Sequence, residues 1–201
     1  MYRPAAFAVN DRSAIEAFIR AQPFATIALV RDGAVELAYA PVVLDGEVVR
    51  FHLAASNPVA RFAAGARLKL SFLGPHAYVS PDWYESAGKV PTWNYCAVEG
   101  EGVAERLDGA ALTSLLVDLS AAAEEKLAPK PPWTIDKIPR DRMAALLKAI
   151  VGFSLRFETL EAKFKLSQNV AAADAAGVMA GLEARGDAAG AAVAAAMKRM
   201  R

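Results

Sequence analysis

With 201 residues and a mass of 21.3 kDa, the chain has room for one ordinary domain, or one domain with a small appendage; a composition 55% hydrophobic and 22% charged excludes a disordered tail. A formal net charge of +1 gives no bulk support to a protein held by phosphate contacts. The single cysteine, Cys96, excludes an internal disulfide framework, and with only His52 and His76 beside it no metal cluster is expected. The start, MYRPAAFAVNDRSAIEAF, lacks a secretion signal, and no run approaches the roughly 18 to 20 apolar residues of a membrane span. A soluble, cytoplasmic chain with no membrane partner is the expectation.

In chain order, DRSAIEAFIR (11–20) opens with Asp11 as a helix cap and places Ile15, Phe18 and Ile19 at helical spacing. Pro23 stops it. FATIALV (24–30), VELAYAPVVL (35–44) and EVVRFHLA (47–54) then read as three strands in meander order, separated by Asp32-Gly33 and Asp45-Gly46, both hairpin signals. Asn57-Pro58 caps a short helix ending at Gly65, RLKLSFLG (67–74) resumes alternation, and TWNYCAVEGEGVAERL alternates from Tyr95 to Leu107. Five or six antiparallel strands within 107 residues fit a barrel better than an open parallel sheet. Gly100 and Gly102, inside the last of these strands, read as a bulge or close backbone approach and not as a dinucleotide loop.

From Ala110 to Leu127 the period turns helical, with Leu112, Leu115, Leu116 and Leu119 on one face; LAPKPPW breaks it and a second helix runs from Asp141 to about Ala149. VGFSLRFETL (151–160) reads as a late strand returning to the barrel. The last 31 residues hold 14 alanines, split by Gly186, and promise helix with little packing area, hence a frayed or partner-packed end. The expected organisation is a domain over 1–181, with a helical insertion near 110–149, and an Ala-rich helical tail over 182–201.

Three segments carry more polar and aromatic residues than a barrel needs. FHLAASNPVAR (51–61) ends a strand and opens a helix, where backbone N–H groups and Arg61 suit an anion such as a phosphomonoester; His52 and Asn57 are its other candidates, and an exposed helix arginine and a structural histidine are the plain alternatives. GPHAYVSPDWY with VPTWNY gathers Tyr78, Trp83, Tyr84, Trp93 and Tyr95 beside Thr92 and Asn94, which suits a flat heteroaromatic ligand and equally an aromatic plug at the barrel end. His76 has no acid partner at recognisable spacing. EAKFKLSQN (161–169) projects Lys163, Lys165, Ser167, Gln168 and Asn169 as donors, with an ordinary exposed connection as the alternative. No catalytic residue and no metal ligand is assigned.

MYRPAAF, NPVAR, GPHAYVSPDWY, VPTWNY, AIVGF and KFKLSQN, in that order, resemble the PaiB-type FMN-binding regulators, within the pyridoxamine-phosphate-oxidase-like split-barrel group. The resemblance implies a mainly β fold with flanking helices, a six-stranded antiparallel split barrel that forms a homodimer with FMN in clefts between subunits. It places the FMN phosphate near Arg61 and the lysines of KFKLSQN, and Trp93, Asn94 and Tyr95 toward the ring. The cofactor set implied is therefore His52, Asn57, Arg61, Thr92, Trp93, Asn94, Tyr95, Lys163, Lys165, Ser167 and Gln168. The function implied is a negative transcriptional regulator, for which direct DNA contact finds no support in the charge; the alternative is an FMN-dependent oxidoreductase acting on a small substrate or reduced nicotinamide.

Overall fold

The computed structural model describes residues 1–200, which cluster into two units interleaved along the sequence. The barrel unit comprises Ile19–Phe72 and Gly100–Leu160; the terminal unit comprises Met1–Phe18, Leu73–Glu99 and the residues from Glu161 onward. The chain passes from one to the other within α1 (Arg12–Ala21), β5 (Arg67–Val79), β6 (Thr92–Arg106) and β8 (Thr159–Lys165).

In the barrel unit the alternating stretches become β2 (Phe24–Arg31), β3 (Ala34–Asp45), β4 (Val48–Ala54) and β7 (Ile150–Arg156), which join the adjacent parts of β5 and β6. Neighbours run β5-β2-β3-β4-β7-β6, and β6 also neighbours β5, so six strands close a ring without a free edge. Both expected hairpins form. Asp32 and Gly33 take φ of 50° and 77°, the left-handed pair that matches strand twist, and Gly46 takes 58° in the second turn. Every second residue points inward: Ala25, Ile27 and Leu29 from β2, Val49, Phe51 and Leu53 from β4, Leu68, Leu70 and Phe72 from β5. Phe51 lies opposite Phe153 of β7, their rings stacked at 5.5 Å, and burial of each such ring stabilises the ring of strands by about 2 kcal/mol.

The close approach expected at the glycines is real. A Cβ on Gly102 would stand 2.1 Å from the Arg156 carbonyl oxygen, and one on Gly100 2.4 Å from the Phe157 ring. The helices of the insertion are α3 (Gly109–Glu124), capped by Asp108, and α4 (Arg140–Lys148). Leu112 and Leu115 of α3 are buried, and its Asp118 accepts a 2.8 Å hydrogen bond from Arg50 of β4. The short α2 is Pro58–Phe62.

Among the described residues the strand count is eight, two more than expected. The stretch 151–160, taken as one strand, ends at Arg156, and β8 begins afresh at Thr159 and continues into the terminal unit, between β6 and a two-residue β1 (Ala8–Val9). Two residues are too few to show a period, and a buried lysine obscures the alternation of β8. In the same unit the Ala-rich end forms α5 (Ala172–Ala184) and α6 (Ala188–Arg199), with Val178, Leu182, Val193 and Met197 fully buried. It is packed, not frayed: small residues let backbones meet, and a Cβ on Gly177 would come 2.1 Å from the Trp83 carbonyl oxygen.

Because backbone blocks a side chain at position 102, Gly102→Ala should destabilise the fold by about 1 to 3 kcal/mol. In thermal unfolding that is a loss of about 2 to 4 °C per kcal/mol for a chain of this size, and an unchanged melting temperature would contradict the contact with Arg156.

Candidate functional site

Eight of the eleven cofactor candidates fall in the terminal unit, on the first residues of β6 and on β8 with the turn after it. There an open groove of about 250 Å³ is lined by Thr92, Asn94, Lys165, Ser167 and Asn169 on one side and by the 84–90 loop, with Tyr84, Lys89 and Val90, on the other. Among the described residues no carboxylate lines it.

β8 determines the charge of this region. Residues two apart on a strand share a face, so Lys163 and Lys165 point the same way. Lys163 is only 8% exposed; its ammonium lies 5.2 Å from the ring centres of both Tyr2 and Tyr95, a pair of cation–π contacts. The Lys165 ammonium donates to Thr92 Oγ1 and, at 2.9 Å, to the Trp93 carbonyl oxygen, both neutral acceptors. Burial, and secondarily the charge of Lys163, hold its pKa below the ordinary lysine value.

The turn after β8 is clamped. Ser167 has φ of 61°, a left-handed conformation that costs a non-glycine residue of order 1 to 3 kcal/mol, and it is buried against Asn94, whose Nδ2 donates to Ser167 Oγ at 2.9 Å. Gln168 folds back on its own backbone: Oε1 accepts from Leu166 N at 2.7 Å and Nε2 donates to the Phe164 carbonyl. The side chains of Ser167 and Gln168 thus shape the turn itself. Asn94 Nδ2 also reaches Met197 Sδ of α6 at 3.5 Å. Nothing in the Ala-rich sequence marked that helix as backing for the groove.

Trp93 is 54% exposed, with the rings of His76 and Tyr78 each 6.3 Å away, the second edge-on. The aromatic cluster is therefore an open platform and not a buried plug. Tyr95, on the same face of β6, covers Lys163 instead.

In the barrel unit, His52 sits on the outer face of β4, half-buried, with Nδ1 enclosed and unpartnered; burial pushes its pKa below the ordinary histidine value. Asn57 Oδ1 caps α2 by accepting from Val59 N at 2.9 Å. Arg61, in the last turn of that helix, is exposed and makes no ion pair among the described residues.

Sequence reading missed the support of the 84–90 loop. Asp174, at the start of α5, is 1% exposed; its Oδ2 meets Lys89 Nζ at 2.8 Å and its Oδ1 accepts from Ser86 N at 2.9 Å. Partners 85 and 88 residues away leave no local signal.

Residues 1–159 match the family described as "Putative FMN-binding domain". The protease synthase and sporulation protein PAI 2 of Bacillus subtilis is 34% identical over 174 residues, covering 84% of this chain and 83% of that protein. The chain belongs to this FMN-binding family. An uncharacterized Emericella nidulans protein is 32% identical over 185 residues, 75% of this chain and 74% of its own. Among solved structures, a FAD- and heme-binding protein from Mycobacterium smegmatis shares the fold at TM-score 0.60 and 20% identity, over 79% of this chain and 73% of its own. The flavocytochrome Anf3 from Azotobacter vinelandii does so at 0.57 and 16%, over 79% and 69%. The family's cofactor is FMN, and the residues present suit it: two half-buried to buried lysines on one face, held only by neutral oxygens and aromatic rings, match a phosphate, and the exposed Trp93 platform matches a flat ring.

The Lys89 hydrogen bond and then that of Ser86 lower the Asp174 pKa to about 2. A depressed carboxylate contributes its stability fully above its unfolded value near 4 and loses it as pH falls toward 2. Asp174→Asn should therefore flatten the fall in urea midpoint between about pH 4 and pH 2; parallel curves for the two proteins would show that the clamp carries no charge-dependent stability.

Proposed function

We propose that the chain is a homodimeric FMN-binding regulator in which Lys163 and Lys165 hold the cofactor's phosphate and Trp93 flanks its ring. The single observation behind this reading is the lysine pair of β8, whose ammonium groups meet aromatic rings and neutral oxygens, with no carboxylate among the described residues that line the groove beside Lys165. Thr92 and the Trp93 carbonyl orient the Lys165 ammonium, the Asn94–Ser167 hydrogen bond fixes the turn, and Gln168 locks that turn from within. His52, Asn57 and Arg61 form the second candidate set: the exposed Arg61 offers a free guanidinium for a phosphate, while Asn57 holds the helix that carries it. When bound, FMN supplies redox chemistry; this chain's residues bind and orient it.

The dimer has a surface to form on. The outer face of the β2–β3 hairpin pairs Val30 with Val35, Ala28 with Leu37 and Thr26 with Tyr39, and Phe24 extends the same row. Phe24, Val30, Val35, Leu37 and Tyr39 are all at least half exposed. A monomer rarely leaves so continuous an apolar row in water, and a second copy of the same row would cover it. The regulator reading follows the resemblance to the PaiB type and the sporulation role that the name of PAI 2 carries. An FMN-dependent oxidoreductase is the second reading, favoured by the open aromatic platform at Trp93, His76 and Tyr78, which leaves space for a planar substrate; anaerobic mixing with reduced nicotinamides decides it, since an unbleached flavin spectrum counts against it.

Lys165→Ala should weaken FMN binding, measured by flavin fluorescence quenching, by about 1 to 3 kcal/mol; unchanged affinity would move the phosphate elsewhere. Separately, Leu37→Glu with Tyr39→Glu should convert the dimer to monomer in light scattering, and a wild-type protein that is already monomeric removes the dimer from this reading.

A further inference from the structure

The near-neutral charge of the chain conceals a division. Residues 126–148 contain Lys126, Lys130, Lys137, Arg140, Arg142 and Lys148 against only Asp136 and Asp141, a net charge of +4, so that the remainder of the chain carries −3 to reach the total of +1. All six cations are exposed. The segment lies wholly in the barrel unit, between α3 and β7, and four prolines, at 129, 131, 132 and 139, stiffen the stretch before α4.

Glu124 and Glu125 directly precede the segment and bring the net charge of 124–148 to +2. Glu124, at the end of α3, accepts from Lys130 Nζ and, at 2.8 Å, from Trp133 N, which ties the loop down. Asp136 and Glu124 both feel the charge of Lys137. Lys126, Arg140, Arg142 and Lys148 make no ion pair among the described residues. Lys148 and the exposed Arg106 also share the lining of a cleft of about 220 Å³ beside the start of α3, with Asp108 as its one carboxylate.

We infer that this surface binds the phosphodiester backbone of a nucleic acid. Unneutralised cations spread along a stiffened stretch suit a row of evenly spaced phosphates, and arginine forks at 140 and 142 grip phosphate oxygens in pairs. An anionic membrane would instead call for a broad apolar face beside the cations; α4 has nine residues, and across 126–148 the exposed large apolar side chains are Leu127 and Leu146, nineteen residues apart. The acidic remainder confines contact to this face and disfavours wrapping. The contacts go to backbone and not to bases, so the binding is indifferent to sequence. This inference rests on the regulator reading and deepens it by naming the partner.

The test uses the full chain with a short labelled DNA duplex, read by fluorescence anisotropy from about 50 to 200 mM salt. Affinity should fall linearly on logarithmic axes, with a slope of about −0.9 for each phosphate met. Arg140→Ala, Arg142→Ala and Lys148→Ala together should weaken binding by about tenfold or more and make the slope shallower, with circular dichroism and flavin absorbance unchanged. Lys69→Ala, on a strand of the barrel, serves as a single-charge control outside the segment and should retain binding. No binding at the lowest salt, full affinity in the triple variant, or binding to phosphatidylglycerol vesicles in place of the duplex would each overturn the inference. Duplex binding by protein that takes up no added FMN would sink the flavin reading alone, and FMN uptake without duplex binding would sink this one alone.

Discussion

Two like charges share one side of a single strand. Lys163 and Lys165 sit two residues apart on β8, one buried between tyrosine rings and the other turned to a threonine hydroxyl and a peptide carbonyl. Neutral acceptors reduce the cost of placing ammonium groups away from water but do not cancel their repulsion. An anion does both. The features around them keep those charges in place: the left-handed Ser167, the Gln168 clamp and the Asn94 bridge fix the end of the strand, and the Asp174 clamp fixes the loop across the groove.

The fold was largely legible where period and turn chemistry are strong. The Asp-Gly turns located both hairpins, and alternation located six strands, because each has one face in the core and one face out. β8 was merged into its predecessor because its apolar positions do not alternate with solvent: Ala162, Lys163 and Phe164 are all buried. The Ala-rich end was misjudged for a related reason. Small side chains look like weak packing material, yet beside Trp83 smallness is what allows contact.

Of the site, residue type could nominate Lys163, Lys165, Thr92 and Asn94, since cations and amides in an extended segment stand out locally. It could not say which donors are already engaged. Gln168 and Asn57 look like ligand-facing groups in a string of letters, and in three dimensions each has its oxygen committed to nearby backbone. Lys89, Asp174 and Met197 were invisible because their partners are remote in sequence. Net charge hides a similar division: a total of +1 sums a basic insertion and an acidic remainder.

The contact between Asn94 and Met197 has a consequence for the order in which the molecule is made. All the strands that close the ring have left the ribosome once Arg156 has emerged, whereas the backing of the groove waits for α6. A nascent chain halted between those points would own a finished barrel and an unfinished pocket floor. The groove proposed for the cofactor is thereby completed only when the last helix arrives, after the strands of the barrel are already available.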